Sequence, residues 1–511
     1  MRILIVTGIV FLQIGFVYFT LWGIASNLRR WVGEIEAIAG AICVFAVASL
    51  LIFWLSWSIP QYQAIFRVGV SLCLLFWATT ALLHGSERIS LVLPFAIAAI
   101  VSTGLFLIVH GADHSGASPM RVAAKIFTHE LPGDNEIPMV FADAILKGHV
   151  PSPFYGDWLS SDRPPLQTGM YLLSPVVSIV GNKGLGYQAL AIAVQMFVLI
   201  GVWCLARAMN STRAAAALAM IAVTFTPIAI VNGVFVWPKL LAAGFVAVAV
   251  ALHFYGKRTT VIDGTVVGTS CAMALLSHGS AIFTLLGMFI AALLMRRLGN
   301  LKYIASAVLC VVVLYSPWLA YQQFVDPPGD RLVKWHFAGV GIEGVDNRPL
   351  STALKDAYAD VTLTGWVHGR EQAFWRSFMG LKDSYAGTLS AAQSLFIEQD
   401  GQASAKLATV RSQQFYGVVI AGGLLGLAFM LIPLGLLDNS LRPLCLVIAL
   451  NFIIWWAVLY DPLGAIVHQG SYFPEIAIVA GFVVFLARRW PRIAVSAVGA
   501  QVALTAFQFS M

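Results

Sequence analysis

Two carboxylates one residue apart stand in the stretch Glu130-Leu-Pro-Gly-Asp134-Asn-Glu136-Ile-Pro138. An acid beside a membrane could serve as a general base if it comes within roughly 3 Å of the hydroxyl it deprotonates and burial lifts its pKa toward the working pH. Asp134 and Glu136 are therefore the candidate catalytic pair. The plainer alternative has Asp134 or Asn135 capping a helix and Glu136 solvated. Either way helix punctuation follows, because Pro138 suits a first turn and Gly148 a position past the last one. Between them Ile137, Val140, Phe141, Ala144 and Ile145 fall on one helical face, and Asp143 and Lys147 on another. That pattern predicts a short amphipathic helix able to lie in a membrane interface.

A second polar stretch runs Gly156-Asp157-Trp158-Leu-Ser-Ser-Asp162-Arg163-Pro164-Pro165-Leu166-Gln167. The paired prolines hold an extended turn, which would fix Asp162 and Arg163 where the chain re-enters an apolar run. A guanidinium suits phosphate recognition through its planar fork of donors; the alternative is an interfacial anchor, since Arg and Trp both favour the headgroup zone. Further binding candidates are Lys239, which follows Trp237-Pro238 at the start of an apolar run, His278 in Ser277-His278-Gly279, and His468, Gln469 and Tyr472. Lys239 also reads as a snorkelling anchor and His278 as a hydrogen-bonded hairpin residue. A divalent metal on Asp134 and Glu136 is conceivable, although two carboxylates without a His or Cys are a thin ligand set.

The elements that must position these residues are membrane helices. Of the 511 residues 59% are hydrophobic and 11% charged, against roughly 25% charged in a soluble domain, so most of the surface must face lipid. The net charge of +7 does not point to nucleic acid, because the basic residues stand at the ends of apolar runs and no nucleic-acid-binding motif accompanies them. The expected fold is an all-α polytopic membrane protein. Apolar runs at 3–25, 35–57, 65–84, 89–110, 185–206, 214–232, 239–255, 261–277, 280–295, 303–320, 414–436, 443–460, 471–487 and 493–510 predict about 14 transmembrane helices, 12–14 allowing for the short ones. Residues 170–180 are too short to cross and read as an interfacial or re-entrant piece. The pair 261–277 and 280–295 reads as a tight hairpin or a broken helix.

Lys and Arg concentrate in alternate connections, at Arg29/Arg30, Arg88, Arg207/Arg213, Lys257/Arg258, Arg296/Arg297/Lys302, Arg442 and Arg488/Arg489/Arg492. The positive-inside rule makes that set cytoplasmic and places both long loops, 111–169 and 321–413, outside. It also places the N-terminus outside, which Arg2 opposes. The chain then divides into three additional N-terminal helices (1–88), a core with the first outer loop (89–320), a second outer loop or small periplasmic helical domain (321–413) and C-terminal helices (414–511). The six cysteines fall inside apolar runs and read as packing residues rather than a disulfide or metal framework.

Several short motifs add to Asp134-x-Glu136, the amphipathic helix ending Leu146-Lys147-Gly148, and Arg163-Pro164-Pro165-Leu166. They are Ser277-His278-Gly279, Ser316-Pro317-Trp318 and Ser471-Tyr472-Phe473-Pro474. In order and placement the set resembles the GT-C superfamily of glycosyltransferases, nearest its protein mannosyltransferase and aminoarabinose transferase-like subgroup, over roughly 89–487. The chain resembles a distant branch. Asn135 splits the acidic pair, Arg163 stands where Lys or His is usual, His278 stands where Lys is common, and His468-Gln469-Gly470 precedes Tyr472 without an Arg.

The resemblance implies a GT-C-like core and an enzyme taking a sugar from a polyprenyl-phosphate donor to a glycan, lipid or protein acceptor. It implies a bacterial cytoplasmic (inner) membrane location with the site on the periplasmic side. Asp134 would be the general base and Glu136 would orient the acceptor. Arg163, Lys239, His278 and His468 would meet the developing phosphate charge. The alternatives are a lipid-linked glycan transporter or flippase, which would want ionisable residues inside spans where Arg67 is the clear one, a ligase or polymerase of another membrane fold, and a non-catalytic GT-C-like subunit.

Overall fold

The computed structural model describes residues 2–83, 89–112, 118–127, 131–174, 183–341, 343–378, 381–416, 423, 428–429, 432–462 and 472–509. Among these every regular element is helical. Each predicted apolar run except 414–436, which falls largely outside the described residues, coincides with a helix or a helix pair. Their lengths differ from the expectation of about fourteen full spans. Among the described residues seven helices are long and apolar enough to cross a membrane: Val10–Leu28, Glu34–Ser58, Pro60–Leu83, Leu91–Gly111, Lys183–Ala208, Leu301–Phe324 and Pro491–Phe509. Arg213–Thr224 and Pro227–Phe235 make an eighth if that pair, bent by 68° at Pro227, counts as one span. Lys239–Tyr255, Val261–Ser277, Ala281–Leu294 and Arg442–Val458 are shorter. A helix of 17 residues such as Lys239–Tyr255 is about 26 Å long, a little under the ~30 Å hydrocarbon thickness.

The centre of the bundle is Lys183–Ala208 and Lys239–Tyr255. The first is buried throughout its apolar stretch, and the second is buried along nearly all of its length. They touch where Gly201 meets Gly244; a Cβ on Gly201 would stand 2.5 Å from the Gly244 carbonyl oxygen. Gly264 and Gly268, four residues apart, likewise admit Tyr303 and Ala307 of the Leu301–Phe324 helix. Small residues allow such approach where lipid gives helices no hydrophobic reason to associate. The far side of Leu301–Phe324 is open, with Val308, Leu309, Val312 and Val313 exposed.

The N-terminal helices pack against this bundle. Gln13 donates to the Gly186 carbonyl (2.9 Å) and Tyr18 to that of Ala193 (2.8 Å), while Gly169 packs against the Ser49 backbone. Of the expected re-entrant or interfacial piece 170–180, residues 175–180 lie outside the described residues, and 170–173 end a helix, Leu166–Leu173, in which every residue is buried. The helix Val261–Ser277 ends at His278 and a new one starts at Ala281. The two pack on different partners, the first on Lys239–Tyr255 and Leu301–Phe324, the second on Arg442–Val458. That is a break rather than a hairpin packed along its length.

The region 321–413 carries helices Arg331–Ala338, Leu350–Tyr358, Leu363–Phe378 and Leu381–Gln393, and the start of Ala403–Tyr416. It is tied back to the bundle. Arg370 donates to the carbonyls of Trp456 (2.9 Å), Ala457 (3.2 Å), Leu459 and Tyr460 (3.1 Å), which satisfies the C-terminus of Arg442–Val458.

Candidate functional site

Asp134 lies on a single 3-10 turn, Gly133–Glu136, that leads into the helix Ile137–Leu146. That helix buries Ile137, Pro138, Phe141, Ala142 and Ile145, close to the face its spacing predicts. It is sandwiched against Phe53, Phe154 and Tyr321, so it is enclosed by protein on that face. Gly148 follows at φ +73, as a helix stop requires.

Neither Asp134 nor Asn135 caps the helix. Asn135 donates to the Met120 carbonyl (3.1 Å). Asp134 Oδ2 accepts from Arg163 Nη2 at 2.6 Å, with both side chains buried. The other oxygen, Oδ1, is buried without a hydrogen-bond partner. Burial raises the Asp134 carboxyl above its ordinary value, opposed by the charges of Arg163 and Lys239.

Arg163 is held as the paired prolines predict, extended at φ −121, ψ 119. Its guanidinium lies 4.3 Å from the Trp158 ring centre and 5.6 Å from that of Trp237. Lys239 enters from the other side. Its ammonium sits 3.7 Å over Trp237 and 4.8 Å over Tyr472, and donates to the Tyr472 hydroxyl at 3.3 Å. The backbones that deliver these groups are strained, with Val236 at φ 59 and Tyr472 at φ 63. For a β-branched or bulky residue such values are rare and cost of order 1–3 kcal/mol. The strain aims Trp237 and Lys239 on one side and Tyr472 on the other into the same space.

His278 packs edge-on to Trp237, with centroids 6.1 Å apart. The Ser280 N–H donates to its Nδ1 at 3.2 Å, so the neutral ring carries its proton on Nε2. Burial, then the nearby cations, hold it well below its usual pKa. A polar chain supports the cluster from within. Leu241 N–H and Gln195 Nε2 bond Gln195 Oε1 and Gln167 Oε1 respectively (3.1 and 2.8 Å), and Gln167 donates to the Tyr187 hydroxyl (2.8 Å). Tyr187 in turn donates to the Asn135 carbonyl (2.9 Å), one residue from Asp134.

The structure therefore gathers Asp134, Arg163, Lys239, His278 and Tyr472 at one end of the bundle. Glu136 stands aside, half-buried at the start of Ile137–Leu146. Asp162 closes its own turn by accepting from Leu159 N–H (2.9 Å) and pairs with Arg331 Nη1 (3.0 Å), so it ties the two polar regions together. His468 and Gln469 lie outside the described residues. The Arg163 guanidinium is the cation that pairs with Asp134. No group of three or more His, Cys, Asp or Glu able to hold a metal exists among the described residues.

Two residues join the cluster that sequence reading did not single out. Glu475, in the first turn of Phe473–Arg489, is 3% exposed, and neither carboxylate oxygen has a hydrogen-bond partner. The charge acting on it is that of Lys239. His336, on Arg331–Ala338, feels both Lys239 and Arg163; burial and those charges push it down to about 4. The only signal for Glu475 was an acid interrupting an apolar run directly after Tyr472-Phe473-Pro474. No family model, no curated protein and no solved structure matches this chain.

Proposed function

We propose that this protein is an inverting membrane glycosyltransferase of the GT-C type. It moves a sugar from a polyprenyl-phosphate donor to an acceptor hydroxyl at the outer face of a bacterial cytoplasmic membrane, in assembly of a cell-envelope glycan. One observation carries the reading: a buried carboxylate with one oxygen fixed by Arg163 and the other vacant, in a cluster that also holds a buried lysine.

Asp134 Oδ1 takes the proton of the acceptor hydroxyl as its oxygen bonds to the anomeric carbon. The bond from that carbon to the phosphate oxygen breaks, and the phosphate leaves with the electron pair. Lys239 and Arg163, held against aromatic rings in a site poor in water, meet that charge as it develops. Tyr472 orients the ammonium. The neutral His278 offers an Nε2 proton to a sugar or phosphate oxygen. Placing this end outside follows the positive-inside rule, since the basic connections gather at the other end.

Deleting the gene and comparing envelope glycans by mass spectrometry tests the reading. A sugar should disappear, return with the intact gene, and stay missing with Asp134→Asn. Restoration by Asp134→Asn removes Asp134 from the chemistry. Glu475, a buried acid inside an apolar helix, favours a second reading, a proton-coupled flippase of a lipid-linked glycan. In that case Glu475→Gln traps the lipid-linked precursor in the inner leaflet, and Asp134→Asn does not.

A further inference from the structure

Beside the charged cluster lies a separate cavity of about 210 Å³, walled by Trp57, Ile145, Gly148, Tyr321 and Val325. Its volume falls below the roughly 300–1,000 Å³ of sites for drug-sized ligands, which suits a single ring. Trp57, half-buried at the end of Glu34–Ser58, forms one wall and stands edge-on to Tyr321 with centroids 5.6 Å apart. The floor is polar and fixed in place. Asp326 is 6% exposed; its Oδ2 accepts from Ser160 N–H (2.8 Å) and Ser160 Oγ (2.6 Å). Because that hydroxyl proton is committed to Asp326, the Tyr321 O–H must donate to Ser160 Oγ, 2.7 Å away. Asp326 Oδ1 faces the mouth, where the exposed Ser152 donates to it at 2.9 Å.

An aromatic face beside an oriented carboxylate matches the two surfaces of a pyranose, an apolar C–H face and a rim of hydroxyl donors. The same backbone run links this cavity to the cluster. Ser160 lies on its floor, and Arg163, which holds Asp134, follows three residues later, at most about 11 Å away between Cα atoms.

We infer that this cavity is a subsite for a pyranose unit of the acceptor, which makes the acceptor a glycan chain rather than a protein or a lone lipid. The inference rests on the transferase reading for its purpose, but binding is measured without transfer. Saturation-transfer NMR on the full chain in lipid nanodiscs, with chitotriose and mannotriose as probes, should show binding of at least one trisaccharide. Trp57→Ala should weaken it about tenfold, and Val325→Trp, which fills the mouth from an exposed position, should abolish it. If Val325→Trp fails to fold, Ser152→Trp plugs the opposite lip. Binding of neither probe, or binding that persists in the plugged variant, overturns the inference. If trisaccharide binding behaves as expected but gene deletion leaves every envelope glycan intact, the subsite stands and the transferase reading falls.

Discussion

The two ends of the bundle treat their charges in opposite ways. At one end Arg207 and Arg213 share Glu34 (3.4 and 2.9 Å), and Arg489 pairs with Asp438 (3.2 Å). The Arg213 and Arg489 side chains there are about half exposed, at 47% and 53%. Such pairs gain little, about 0–1 kcal/mol each, because water already solvates the charges. At the other end the Arg163 and Asp134 side chains are 11% and 7% exposed, Lys239 is fully buried and Glu475 has no hydrogen bond. Burying charge this way costs several kcal/mol per ion before any attraction repays it. Stability alone would not select that arrangement. The difference fits the proposed reading, in which charge at the exposed end would set orientation and charge at the buried end would act on a ligand.

The largest effect expected is on transfer. Asp134→Asn should lower it by about 10²–10⁴-fold, the usual contribution of a general base, without loss of folding as judged by thermal melting. Arg163→Ala breaks a buried pair and strands Asp134, so it should cost about 3–5 kcal/mol of stability, measured by denaturation in detergent. The corresponding Arg213→Ala at the exposed end should cost no more than about 1 kcal/mol. A similar loss for both would erase the contrast between the ends.

pH sharpens it further. Asp134 must be ionised to act and its carboxyl is raised by burial. Transfer should therefore fall, on acidification, at a pH above the ordinary carboxylate value of about 3.9. A milder Arg163→Lys change, which keeps the charge but loses the fork, should move that limb upward. An acid limb at or below the ordinary value would show that Asp134 is not the titrating base. The smallest effect is for Glu475→Gln, which replaces a buried acid by a neutral side chain of the same shape and should leave melting unchanged or raise it slightly. A large destabilisation would mean that Glu475 anchors Lys239.

Much of the helical layout was legible in the hydropathy of the chain, since apolar runs have few other solutions in lipid. Span number was not, because Lys239–Tyr255 and its short neighbours are apolar enough to read as full crossings and too short to be ones unaided. The Arg163-Pro164-Pro165 turn was legible because proline fixes its own backbone. Asp134 was open between cap and base; the cap is removed because its carboxylate pairs with Arg163, 29 residues later in sequence, and not with the first helical N–H groups. His336 and the Gln167, Gln195 and Tyr187 chain carry no local spacing signal. Their meeting is a property of how distant helices pack.

The bonds joining the two polar regions have a consequence for how this protein changes over time. Asp326 grips Ser160 and Arg331 grips Asp162, both on the stretch of backbone that leads into Arg163. A graft that brings in residues 326–331 from another chain, leaving 160–162 in place, would unseat that backbone at its root. The two regions must be inherited and exchanged as a matched set, so diversification of this protein should proceed by paired substitution across them rather than by swapping either alone.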